Sequence, residues 1–202
     1  MIHAYHVIFS TYGFWLPNDP RGSWSDFVGA WELYTYGRAT KVYTRRSSAQ
    51  DPHDHALRRE AKNALKYPPV QITGLQARAV ARGFTRYIDH SNMTVWACSI
   101  LPDHVHLVYY RMNRLAERIV NQLKGAATKQ LARENLHPLA QYAVPDRRPP
   151  KIWTRGLWKV FLNSEQAILR AIQYVEENPV MAGKRTQNWK FVLPFPATRS
   201  AP

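Results

Sequence analysis

The chain has 202 residues, 45% of them hydrophobic, 12% aromatic and 21% charged, a globular composition that excludes wholesale disorder. Lysine and arginine number 28 against 14 aspartates and glutamates, and the resulting charge of +14 with a pI near 10.2 favours a polyanionic partner, nucleic acid foremost. The single cysteine, Cys98, excludes an internal disulfide; with no membrane-length apolar run and no signal-peptide pattern, the expected setting is cytoplasmic and nucleoid-associated, without a membrane partner.

This length suits one domain over residues 1–202, elaborated at about 12–69 and ending in a short tail from about 184. Tyr5 to Thr11 is β-branched and aromatic and predicts a buried strand. The stretch from Tyr12 to Pro69 is rich in Gly, Pro, Asp, Trp and Arg without sustained periodicity. Within it, Leu57, Ala61 and Leu65 predict a short helix over Asp54 to Tyr67. Trp15, Trp24 and Trp31 suit two roles there, stacking on unpaired bases or covering an edge of the core. His53 and His55 form a His-x-His pair in a polar stretch that no rigid element supports.

Ile72 to Asp89 predicts an amphipathic helix whose Arg78, Arg82 and Arg86 form an i, i+4, i+8 row. Such a row is either a solvated face or, lacking interleaved acids, a phosphate-binding stripe. Met93 to Leu101 predicts a strand, and Pro102-Asp103 a turn into a second one, forming a hairpin.

That second strand, within Leu101 to Tyr110, carries His104 and His106 two residues apart. Side chains alternate along a strand, so both imidazoles share one face while Val105 and Leu107 enter the core. Two neutral imidazoles at this spacing can reach one cation, although histidines in strands also serve as ordinary hydrogen-bonded residues.

Asn113 is placed to cap a long helix with Leu115, Ile119, Leu123, Ala127 and Leu131 on one face and Arg118, Lys124, Lys129 and Arg133 on a basic exposed one. Residues 137–151 are proline-rich and break regularity, and Leu157 to Leu162 predicts a last strand. Asn163-Ser-Glu-Gln166 reads as a capping box opening a final helix with a stripe of Ile168, Leu169, Ile172 and Val175, which Pro179 should end near Asn178. Tyr174 lies off that stripe, on the side of Ala167, Ala171 and Asn178, where small neighbours allow close approach.

The order β, helix, β, β, helix, β, helix is that of an α+β, ferredoxin-like split βαβ domain with an antiparallel sheet, the histidine pair on a central strand and the tyrosine on a C-terminal helix. Three segments, Pro102-Asp-His-Val-His-Leu107, Trp158-Lys-Val-Phe-Leu162 and Tyr174-Val-Glu-Glu-Asn-Pro-Val180 followed by Ala182-Gly183, resemble the HUH-type tyrosine transposases, and within them the REP-associated tyrosine transposases. The resemblance runs from the first strand to Trp189-Lys190-Phe191, although the 12–69 segment is longer than in a minimal member.

The resemblance implies that His104 and His106 ligate Mg²⁺ or Mn²⁺, that Asn178 supplies a third, amide ligand, and that Tyr174 is the nucleophile. It implies a single-stranded DNA partner, hairpin-forming or REP-like, which is cleaved through a 5′-phosphotyrosine and rejoined. Because imidazole binds a cation only when neutral, activity is expected to fall below about pH 6. Arg155, Lys159, Lys184 and Arg185 flank the site in sequence as candidate phosphate contacts, beside the Arg78, Arg82 and Arg86 row and the bases' stacking candidates Trp15 and Trp24. Two other functions fit the residues: a noncatalytic single-stranded nucleic-acid binder, and a replication or conjugation nickase. A homodimer and a monomer are equally compatible with the sequence.

Overall fold

In the computed structural model the described residues are 3–14, 16–17, 28, 31–37, 39 and 54–196. Four strands, β1 (Ala4–Ser10), β2 (Val95–Ile100), β3 (His104–Tyr110) and β4 (Trp158–Leu162), form one sheet in the order β2-β3-β1-β4, every neighbouring pair antiparallel. Helix α1 (His55–Asn63) and α2 (Gly74–Ser91) lie between β1 and β2, α3 (Ala116–Arg133) between β3 and β4, and α4 (Glu165–Met181) follows β4. Strand β3 thus inserts between β1 and β2, and β1 between β3 and β4, which is the expected ferredoxin-like α+β arrangement.

Alternation along the strands divides the interior in two. Val7, Phe9, Val105, Leu107 and Tyr109 face α2 and α3 and join Val80, Phe84, Ile119, Leu123 and Leu131 in the main core. The opposite face carries Ala4, Ala97, Val108 and Leu162, packed under Ile168, Ala171 and Val175 of α4. His6, His104 and His106 belong to that α4 face by register, since His6 stands opposite Val108 and His104 opposite Ser10.

Helices α2 and α3 cross closely at Gly83, where a Cβ would stand 2.7 Å from Ala126 O and 2.8 Å from the Ala127 Cα. Helix α2 starts in a capping box, with Thr73 Oγ1 accepting the Gln76 N–H and Gln76 Oε1 accepting the Thr73 N–H. Helix α1 is capped by Asp54, whose Oδ1 accepts the N–H groups of Ala56 and Leu57.

Several local expectations are corrected. The cap of α3 is Leu115, not Asn113: the Leu115 carbonyl accepts the first helical N–H groups, from Arg118 and Ile119, and its side chain is exposed rather than on the buried stripe. Lys124 is buried, not part of a basic outer face; its Nζ donates to the Thr154 and Gly156 carbonyls at 3.0 and 2.7 Å and sits over the Phe9 ring. On α4 the cap is Ser164, one residue beyond the expected Asn163, with its Oγ accepting the Ala167 N–H. The buried stripe there is Ile168, Ala171, Val175 and Asn178, while Leu169 is exposed.

Pro179 does not end α4. It lacks only its own N–H, and the helix continues to Met181. The stop is Gly183, at a left-handed φ of 67°, where the Lys184 N–H bonds the Pro179 carbonyl and the Gly183 N–H the Val180 carbonyl. That pair of bonds is a Schellman closure, which glycine accommodates without a Cβ clash.

The tail after α4 covers the edge of β2. Gln187 Oε1 accepts the Ile100 N–H and its Nε2 donates to the Ile100 carbonyl, both at 2.8 Å. Further on, the Leu193 N–H bonds the Val95 carbonyl, Phe191 enters the main core, and Phe195 packs edge-on against Trp96 at 4.7 Å. Trp96 is turned to that side by a bulge between Val95 and Ala97, and the covered strand no longer offers a free edge there. Among the described residues no helix is long and apolar enough to cross a membrane.

Candidate active site

The hairpin that delivers the histidines is closed by the Leu101 N–H bonding the His104 carbonyl, and pinned to β1 by the Thr11 N–H and Oγ1, which both donate to the Asp103 carbonyl. His104 is partly exposed and His106 only 3% exposed, because α4 lies over the inner end of the pair. Their ring centroids are 4.8 Å apart.

Each ring is held at Nδ1. Asp103 Oδ1 accepts from His104 Nδ1 at 2.7 Å; a carboxylate has no proton to give, so His104 Nδ1 carries the hydrogen. His106 Nδ1 meets His6 Nε2 at 3.0 Å. No hydrogen bond to either Nε2 is formed among the described residues.

Burial pushes the His6 imidazole down to about 4, since the charged form would lose its hydration between sheet and helix. His106 is held well below the usual imidazole range by burial first, then by the nearby His104 and His6. Both rings are therefore neutral near pH 7.

Helix α4 brings Tyr174 to these rings. Its centroid is 5.6 Å from His106 and 6.0 Å from His6, and the residue is 46% exposed, so its phenol is open to an incoming molecule. One turn on, Asn178 is buried and its Nδ2 finds no hydrogen-bond partner among the described residues. Ser99, directly opposite His106 on β2, likewise buries a hydroxyl without a partner.

Two imidazoles held at Nδ1, with no hydrogen bond to Nε2 among the described residues, and the buried Asn178 amide one turn from Tyr174, through its Oδ1, are group types that fit a divalent cation completing its shell with oxygen. Among the described residues no three His, Cys, Asp or Glu side chains form a complete cation cage by themselves. His6 is the site residue that sequence reasoning missed. Its only signal was its parity with Ile8 and Ser10 on β1, which acquires meaning only with the β1–β3 register.

The flanking basic residues separate into two groups. Arg155 is exposed and follows Thr154, whose hydroxyl bonds Ser10 Oγ at 2.8 Å, opposite His104. Lys184 and Arg185 are exposed between the end of α4 and Gln187, which is anchored at Ile100 opposite Val105. These three stand at the His104 end of the sheet. Lys159 points to the other face, beside Val7 in register, and pairs with Glu117 of α3.

Arg78, Arg82 and Arg86 lie on the outside of α2, across the sheet from the histidines. Arg82 is paired with Glu134 at the end of α3, and Arg86 lines a groove between α2 and α3 with His90, Lys129 and Arg133. Trp15, Trp24 and His53 lie outside the described residues. Trp31 is 84% exposed, which removes it from the core edge.

No family model and no curated protein matches this chain. Among solved structures, it is similar to the REP-associated tyrosine transposase bound to a REP hairpin, with 11% identity and a TM-score of 0.48 over 94% of this chain and 74% of that one. It is also similar to a putative transposase from Deinococcus radiodurans R1, with 14% identity and a TM-score of 0.40 over 86% of this chain and 88% of that one.

Proposed function

We propose that the chain is a metal-dependent endonuclease and strand transferase for single-stranded DNA, a transposase acting at hairpin or REP-like repeats through a 5′-phosphotyrosine. The observation that carries this reading is the approach of the half-exposed Tyr174 to His106, 5.6 Å between rings, beside two imidazoles held at Nδ1 with no hydrogen bond to Nε2 among the described residues. The basic balance of the chain agrees with a nucleic-acid partner.

His104, His106 and Asn178 would hold the ion, Mg²⁺ or Mn²⁺. When bound, such an ion offsets charge on the nonbridging oxygens of the scissile phosphate. Asp103 and His6 keep the two imidazoles oriented. The Tyr174 Oη loses its proton to solvent and attacks phosphorus; the new bond is P–Oη, and the bond that breaks is P–O3′. The departing 3′-oxygen takes up a proton, and the 5′-phosphate stays on the tyrosine. Attack by another 3′-hydroxyl reverses the exchange, one phosphodiester for another, and needs no nucleotide cofactor.

Arg155, Lys184 and Arg185, at the same end of the sheet, would bind the flanking backbone, and the exposed Trp31 offers a face on which a base can stack. Incubation with labelled single-stranded DNA and Mn²⁺ should yield a covalent complex that survives denaturation. Tyr174→Phe should abolish it while retaining DNA binding. Binding by the native chain with no covalent product on hairpin-bearing DNA would favour a noncatalytic binding module.

A further inference from the structure

We propose that His6 is a positioning residue that sets the tautomer of His106, its Nε2 accepting the His106 Nδ1–H so that His106 Nε2 keeps its lone pair for the cation; this rests on the metal-site reading above. The two rings stand in different strands, yet their nitrogens meet at 3.0 Å with centroids 5.3 Å apart. Both are almost fully buried, so water does not readily replace either partner.

Between two neutral imidazoles only one hydrogen can occupy the contact. If His6 donates it, His106 is protonated on Nε2 and has no lone pair left there for a cation. If His106 donates it, Nε2 is free, and His106 acquires the same protonation pattern that the Asp103 carboxylate imposes on His104. Two ring orientations are thus fixed from behind by two different acceptors, an aspartate in the hairpin turn and a histidine in the neighbouring strand. Hydrogen-bonded groups of this kind behind a ligand change metal affinity about 10–100-fold when removed. His6 also borders Tyr174 at 6.0 Å between centroids, so its ring helps to define the wall against which the phenol rests.

The test uses the full chain and two readouts. Long-range ¹⁵N–¹H correlation of the imidazoles in the metal-free protein should show His106 protonated on Nδ1 in the native chain and in His6→Gln, whose amide oxygen can accept the same bond. His6→Leu should lose that preference. Mn²⁺ titration by calorimetry should then give an affinity about 10–100-fold weaker for His6→Leu and near native for His6→Gln. A native His106 protonated on Nε2, or an unchanged Mn²⁺ affinity in a folded His6→Leu, overturns the proposal. Should His6→Leu not fold, the native and His6→Gln spectra decide alone. A native chain that shows the Nδ1–H tautomer but binds no Mn²⁺ would sink the metal reading, and with it the purpose assigned to His6, while the hydrogen bond itself stood.

Discussion

His6 and His106 stay neutral in the fold because charging either would place a cation between the sheet and α4, where hydration is poor. In the unfolded chain an imidazole titrates near 6.5. Between pH 6.5 and about 4 the unfolded state therefore binds more protons than the folded state, and stability rises with pH across that window. For His6 alone the difference corresponds to roughly 3 kcal/mol lost on going from pH 7 to pH 4. Urea unfolding at pH 7, 5.5 and 4 should show this slope, shallower in His6→Gln; a flat profile would contradict the buried neutral pair. The same burial keeps the His106 imidazole neutral below the pH of about 6 at which free imidazole charges.

At the level of elements, α2 and α3 cross backbone to backbone at Gly83. A methyl group there meets the backbone of Ala126 and Ala127, which cannot rotate aside. Gly83→Ala should therefore destabilise the fold by about 3 kcal/mol despite the better helix propensity of alanine, read as a lowered urea midpoint. An unchanged or raised midpoint would show that the helices separate freely.

The elements also show what the sequence could disclose. The period of two places His104 and His106 on one face, and the apolar spacing of α1 to α4 places each helix, because these patterns are local. Two features depended on partners far along the chain, and a third on competition between neighbouring signals. Lys124 looks like a solvated residue until the carbonyls of Thr154 and Gly156 fold over it. His6 looks like any strand residue until β3 pairs with β1. Pro179 looks like a helix stop, but the competing signal at Gly183 wins, since a proline removes one hydrogen bond whereas the left-handed glycine closes two.

For the whole molecule, the described basic residues of this +14 chain stand on both faces. One basic set, Arg155, Lys184 and Arg185, stands at the histidine end of the sheet, and another, Arg86, Lys129 and Arg133, lines the groove on the far side. Single-stranded DNA affinity should fall steeply with salt, and Arg155→Ala combined with Arg185→Ala should lower it and reduce the salt slope by about one to two phosphate contacts. Lys159→Ala, which removes a partner of Glu117 on the other face, should leave DNA affinity unchanged and cost less than about 1 kcal/mol of stability. Fluorescence anisotropy over a salt series checks both; equal losses from the two faces would mean that the histidine end does not orient the strand.

The central claim is that Tyr174 forms a bond to DNA phosphorus beside the two imidazoles. Its most direct measurement is mass spectrometry of the proteolysed covalent complex formed with hairpin-bearing single-stranded DNA and Mn²⁺. The account predicts one modified peptide, containing Tyr174 and bearing the 5′-phosphate of the downstream fragment, with a free 3′-hydroxyl on the upstream one. Attachment at another residue, or cleavage that leaves a free 5′-phosphate and no adduct, would contradict it.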